Sequence, residues 1–185
     1  MNQRGQISVE ELRGPSSVAF QGRVLTVRVD PVTAKGGPST REVVERPRAA
    51  AVVAEGEDGR LVVVRQFRWA VSTCLDELPA GLIDPGEEPL AAAQRELAEE
   101  TGYRAQTWQL LFDYYASPGY STERVSLFSA RGLAPGPRNL DPDEDIVVTG
   151  WSRQEAERYL AEGRVQNGIL LIGVLWWLYG STPQV

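Results

Sequence analysis

Along this chain, short apolar runs and alternating stretches flank one amphipathic segment near the middle. From Val18 the chain turns extended, and Leu25, Val27 and Val29 alternate with Thr26, Arg28 and Asp30, the period-two pattern of a half-buried strand. Pro31–Ser39, carrying Gly36-Gly37-Pro38, reads as a loop, and Thr40–Val44 as a second short extended piece. Two apolar runs, Ala49–Ala54 and Leu61–Val64, flank Asp58-Gly59 and predict a hairpin. The segment Pro89–Thr101 predicts a helix: Asp84-Pro85-Gly86 is a turn, Pro89 suits the first helical position, and Gly102 suits the left-handed position just past the end. Leu90, Ala93 and Leu97 make its apolar stripe.

Beyond it, Trp108–Tyr115 and Arg124–Ala130 are strand candidates separated by turn formers, and Gly132–Asp145 is a Pro- and acid-rich loop. Ile146–Trp151 reads as the last strand. Ser152 with Glu155 forms a capping box that opens a helix to about Gly163, and a final helix follows over Asn167–Tyr179. The apolar run within that helix is interrupted by Gly173 and falls short of the roughly 20 residues that span a bilayer, so it reads as buried and no membrane is expected as a partner. Strands with helices on either side in this order predict an α+β fold, a mixed-sheet α/β/α sandwich preceded by a small antiparallel β arm. The arm takes residues 1–46 and the main domain 47–185. So small a sheet needs to dock against something.

Composition narrows the chemistry. A chain of 185 residues is long enough for one full core, and its net charge of −6 argues against a nucleic-acid polymer as partner. Histidine is absent, which removes imidazole bases, imidazole metal ligands and Ser-His or Cys-His nucleophiles, so carboxylates must carry acid–base and metal work. Cys74 is the single cysteine, is expected to be semi-buried, and can form no intrachain disulfide. With no charged region and long apolar run at the N-terminus, a reducing cytoplasm is the expected location.

At about 100° per residue, Glu96, Glu99 and Glu100 stand on one arc of the central helix. Glu96 and Glu100 border the apolar stripe and Glu99 lies further round. Like charges placed so close to a core cost stability unless a cation joins them. Oxygen donors without nitrogen or sulfur select a hard ion, Mg²⁺ or Mn²⁺, which commonly bridges to substrate phosphates.

The stretch GLIDPGEEPLAAAQRELAEETGY from Gly81 to Tyr103 resembles the signature of the Nudix hydrolases at Gly81, Glu87, Arg95-Glu96, Leu97, Glu99-Glu100, Gly102 and Tyr103. The resemblance implies a Nudix-type sandwich and metal-dependent hydrolysis of a nucleoside diphosphate linked to a further group. Beyond that stretch the chain is similar to the ADP-ribose pyrophosphatase branch over roughly residues 20–179. The likeness rests on Arg41-Glu42-Val43-Val44, Arg65-Gln66-Phe67-Arg68, Glu77-Leu78-Pro79-Ala80-Gly81 and Ser117-Pro118-Gly119, with Pro118 fifteen residues beyond Tyr103.

Carried over position by position, the resemblance makes Glu96, Glu100 and the carbonyl of Ala80 metal ligands, Glu99 a further ligand or a support for them, and Arg95 the residue that orients the carboxylates. Arg68 would contact the diphosphate, Arg41 and Glu42 would lie near the adenine, and Glu123 near the reacting side. Two or three metal ions would activate water against a diphosphate phosphorus, turning ADP-ribose into AMP and ribose 5-phosphate. The general base is expected from Asp141–Asp145, at Glu144, at a neighbouring aspartate such as Asp143, or at a glutamate of the helix. Two departures from the branch stand out: Pro142, where relatives often carry glutamate, and Arg46, where they tend to carry histidine. The branch also implies a homodimer that exchanges its N-terminal arms. Rival substrates for the same centre are GDP-mannose, ADP-glucose and NADH, and a rival of another class is a non-catalytic nucleotide sensor, which would be expected to show a damaged signature.

Overall fold

The computed structural model describes residues 12–140 and 145–180. Contacts divide them into two units, one running up to Pro47 and taking in Ser117–Glu123, the other formed by Arg48–Ala116 and the chain from Arg124 onward.

The first unit is an antiparallel sheet of β1 (Leu12–Arg13), β2 (Ser17–Gln21), β3 (Thr26–Ala34) and β4 (Gly37–Glu45). β4 flanks β3 on one side, while β1 and β2 share the other, each covering part of its length. The expected loop over Pro31–Ser39 is instead a tight hairpin, with Pro31 opposite Thr40 and Pro38 opposite Thr33. Pro31 fits within a strand because its backbone faces the gap between β1 and β2, where its carbonyl accepts from the Gly14 amide at 2.8 Å beyond the end of the β1 ladder. Asp30, expected on a polar face, is buried. Arg13 and Arg28 pair with it, and the Ser16 hydroxyl, with Arg28 and Arg13 adding, holds its carboxyl below the usual range against the opposing effect of burial.

The second unit is built round β5 (Ala49–Ala54), whose six residues are all buried. It pairs antiparallel with β8 (Ala80–Leu82) and parallel with β10 (Arg124–Pro135), and β10 pairs in turn with β9 (Tyr103–Tyr115). A second sheet holds β6 (Leu61–Arg68) between β7 (Thr73–Glu77) and β11 (Ile146–Trp151). The expected hairpin between Ala49–Ala54 and Leu61–Val64 does not form: beyond the turn the two strands diverge into different sheets, joined by a single bridge, Glu55 to Leu61. Both runs are apolar on both faces, so each fills the middle of its own sheet. The Pro-rich loop starts later than Gly132, because β10 continues to Pro135 against a longer β9. Cys74 lies exposed on β7.

Two apolar clusters back the opposite faces of β5. Ala49, Ala51 and Val53 meet Leu170, Val174 and Trp177, whereas Ala50, Val52 and Ala54 meet Ala92, Ala93 and Leu97. The helices responsible are α1 (Pro89–Thr101) on one side and, on the other, α2 (Arg153–Ala161) and α3 (Gly168–Leu175), the last continuing into a π-helical turn at Trp176–Gly180. The result is an α+β fold, a mixed-sheet α/β/α sandwich. Gly173, which looked like an interruption, is a contact point: a Cβ there would lie 2.5 Å from Leu78 Cδ1, so its absence lets α3 seat on the sheet.

Candidate active site

The helix α1 begins and ends where its sequence signals place it, with Pro89 in the first turn and Gly102 left-handed at φ 77°. Its buried side is Ala92, Ala93, Glu96, Leu97 and Glu100, so Ala92 takes the role expected of Leu90, which stays 39% exposed in the first turn. Glu96 and Glu100 are only 8% and 2% exposed, and Glu99 is half-buried. Fully burying Leu97 is worth about 1.5–3 kcal/mol, less than the several kcal/mol it costs to bury two unpaired carboxylates, so each needs a partner.

Those partners are specific. Arg95 donates from Nε and Nη2 to the two oxygens of Glu87, both at 3.0 Å, from Nη1 to Glu96 at 2.7 Å and Glu99 at 3.1 Å, and from Nη2 to the Leu82 carbonyl at 3.0 Å. Glu87 first, then Glu96 and Glu99, push the guanidinium further into its charged form, overcoming desolvation. In return Arg95, helped by the Asp84 amide, holds the Glu87 carboxyl below the usual range. β8 approaches from the other side: the Ala80 amide donates to Glu100 at 3.1 Å, and a Cβ on Gly81 would lie 2.0 Å from Glu96 Oε1. Only glycine leaves that carboxylate its space.

A family model of the NUDIX domain matches residues 45–166. The chain belongs to the Nudix hydrolase family. It is 40% identical over 164 residues to an ADP-ribose pyrophosphatase of Mycobacterium tuberculosis, covering 86% of this chain and 79% of that protein. It is also 36% identical over 158 residues to a methanol dehydrogenase activator of Bacillus methanolicus, covering 84% and 85%. The crystal structure of an ADP compounds hydrolase shares the fold, with a TM-score of 0.82 over 94% of this chain and 97% of that one at 23% identity.

Divalent metals are general in Nudix hydrolases, and the donor chemistry here fits one: carboxylate oxygens from Glu96, Glu99 and Glu100 beside the backbone of Ala80 and Gly81. Among the described residues no three acidic side chains already converge as a cage, because Arg95 holds Glu96 and Glu99 while the Ala80 amide holds Glu100.

The other expected residues fall into two places. Arg68 lies in the second unit at the end of β6, its Nε and Nη2 bonded to the two oxygens of Glu77 at 2.8 and 2.6 Å. Glu77, 4% exposed, is a partner not expected from the sequence; it lies opposite the buried Val64 in the β6–β7 register, a pairing only the fold reveals. Arg41, Glu42, Pro118 and Glu123 belong to the first unit. There Arg41 and Glu42 sit exposed on β4, Pro118 is an exposed turn residue, and Glu123 pairs with Arg46 at 3.5 Å. Asp143 and Glu144 lie outside the described residues.

Among the described residues no helix is long and apolar enough to cross a membrane.

Proposed function

We propose that the protein hydrolyses the diphosphate bond of ADP-ribose to AMP and ribose 5-phosphate with Mg²⁺, or Mn²⁺ in its place, as two or three ions per site. The observation that carries this reading is the extent of the likeness to an ADP-ribose pyrophosphatase. At 86% of the chain it exceeds the matched family segment 45–166 and everything after it, so it reaches into the arm that bears Arg41 and Glu42.

Glu96, Glu99 and Glu100, with the Ala80 carbonyl, hold the metal, which when bound neutralises charge on the diphosphate and polarises it for attack by water. Arg95 sets the angle of Glu96 and Glu99, and Glu87 fixes Arg95. Glu77 aligns the planar fork of Arg68, whose geometry matches phosphoryl oxygens. Glu144 or Asp143 takes the proton from the attacking water. Arg41 and Glu42 receive the adenine and Glu123 faces the reacting side. Pro118 shapes the turn beside them, and the arms are exchanged within a homodimer, in the cytoplasm.

The test is phosphate release, after coupling to a phosphatase, across ADP-ribose, GDP-mannose, ADP-glucose and NADH at equal concentration. ADP-ribose should have the highest kcat/KM, with AMP and ribose 5-phosphate as products; a place among the slowest substrates would reject the assignment. Turnover of none of the four would favour a non-catalytic sensor.

A further inference from the structure

The carboxylates of α1 sit at the end of the helix least suited to them. The last carbonyls carry partial negative charge, Glu99 and Glu100 add to it, and the last turn holds no basic residue. The helix end is completed partly from within and partly from elsewhere in the chain. Thr101 Oγ1 donates to the Leu97 carbonyl and the Gly102 amide to Ala98 at 2.9 Å, both from within the helix end itself. The Asn139 amide donates to the Glu99 carbonyl at 3.2 Å, and the Gly136 amide to that of Gly102 at 2.6 Å. Arg138 completes the set: Nε donates to the Glu100 carbonyl at 2.5 Å and Nη2 to the Ile146 carbonyl at 2.6 Å. One guanidinium therefore joins the backbone of a metal-site glutamate to the first residue of β11.

We propose that Arg138 is a positioning residue for the reaction, holding the last turn of α1, and with it the Glu99 and Glu100 carboxylates, at the setting a divalent ion requires. This rests on the reading of Glu96, Glu99 and Glu100 as the metal site. A long side chain held at both nitrogens of its fork specifies a position as well as a charge, which lysine cannot do. Supports of this kind behind metal ligands are typically worth about 10–100-fold in metal affinity or activity.

The experiment measures Mn²⁺ binding by the electron-spin signal of the free ion, together with kcat and KM for ADP-ribose, in wild type, Arg138→Ala, Arg138→Lys, Arg60→Ala and Glu100→Gln. Arg60 is the control. It likewise bonds a β11 carbonyl, that of Gly150, and pairs with Glu155, but away from the carboxylates. Arg138→Ala should bind Mn²⁺ about 10–100-fold more weakly and lose kcat by a similar factor with little change in KM. Arg138→Lys should recover only a small part, and Arg60→Ala should lose melting temperature while keeping Mn²⁺ affinity. Should Arg138→Ala not yield folded protein, Arg138→Gln, which keeps one amide donor, carries the same measurements with an intermediate loss expected. Wild-type Mn²⁺ affinity in the folded Arg138 variant, or an equal loss in Arg60→Ala, overturns the proposal. Wild-type Mn²⁺ affinity in Glu100→Gln overturns the metal-site reading itself, whereas a loss there with none at Arg138 removes only the role of Arg138.

Discussion

Helices α1 and α2 border the same unit but are finished in opposite ways. α2 is capped at its start from its own sequence: Ser152 accepts from the Glu155 amide, and the Glu155 carboxylate accepts from the Ser152 amide and hydroxyl, both at 2.8 Å. α1 has no side-chain cap at Glu88 and no basic residue in its last turn; Thr101 and Gly102 meet the Leu97 and Ala98 carbonyls locally, but those of Glu99, Glu100 and Gly102 depend on Asn139, Arg138 and Gly136. A helix that serves only packing can be capped from its own sequence. One that carries three carboxylates on its last turns gives up local consistency, and distant chain supplies what is missing.

The comparison breaks first if α1 can be altered without loss of activity. Glu100→Gln should lower kcat on ADP-ribose by about 100-fold or more while the far-ultraviolet circular dichroism stays native, since the amide keeps the size and the Ala80 contact but not the charge. Gly81→Ala comes next. The added Cβ would displace the flexible end of Glu96, so activity should fall by about 10–100-fold and the melting temperature by much less.

At α2 the order of effects reverses. Ser152→Ala should cost about 1 kcal/mol, read as a melting temperature lower by about 2–4 °C, with kcat unchanged. The smallest effect is acid sensitivity. The Glu155 carboxyl is held below its usual range by the Ser152 amide and hydroxyl and then by Arg60, so its contribution is complete above the unfolded value of about 4.3 and disappears as pH falls through the lower folded one. The urea midpoints of wild type and Glu155→Gln should therefore differ at pH 7 and converge towards pH 3. A gap that widened on acidification would contradict this sign.

Local signals made part of this legible in advance. Pro89, Gly102 and the Ser152–Glu155 pair mark their helix ends because the physics of capping lies within four residues. The carboxylates of Glu96 and Glu100 could be placed beside the core from helical projection alone. What escaped depends on partners far along the chain. The runs at Ala49 and Leu61 look like a hairpin, yet the first pairs with Ala80–Leu82 and Arg124–Pro135, and the second, besides the adjacent Thr73–Glu77, with the distant Ile146–Trp151. Asp30 reads as a surface residue until Arg13 and Arg28 are brought to it. Arg138 lies in a Pro-rich stretch with no periodicity, and its meaning comes only from the two carbonyls it meets.

The position of β5 has a consequence for how the chain is made. Its neighbours are β8 and, in parallel, β10, where Ala49 faces Val125, so its six apolar residues are complete on both edges only after α1, β9 and β10 have been synthesised. At about 5–20 residues per second that leaves a bare apolar strand exposed on the ribosome for seconds. Parallel pairings between distant segments are also slow to close. The central strand of the finished enzyme is thus an aggregation-prone segment at birth, and refolding yield should depend on protein concentration more than the stability of the finished fold would suggest.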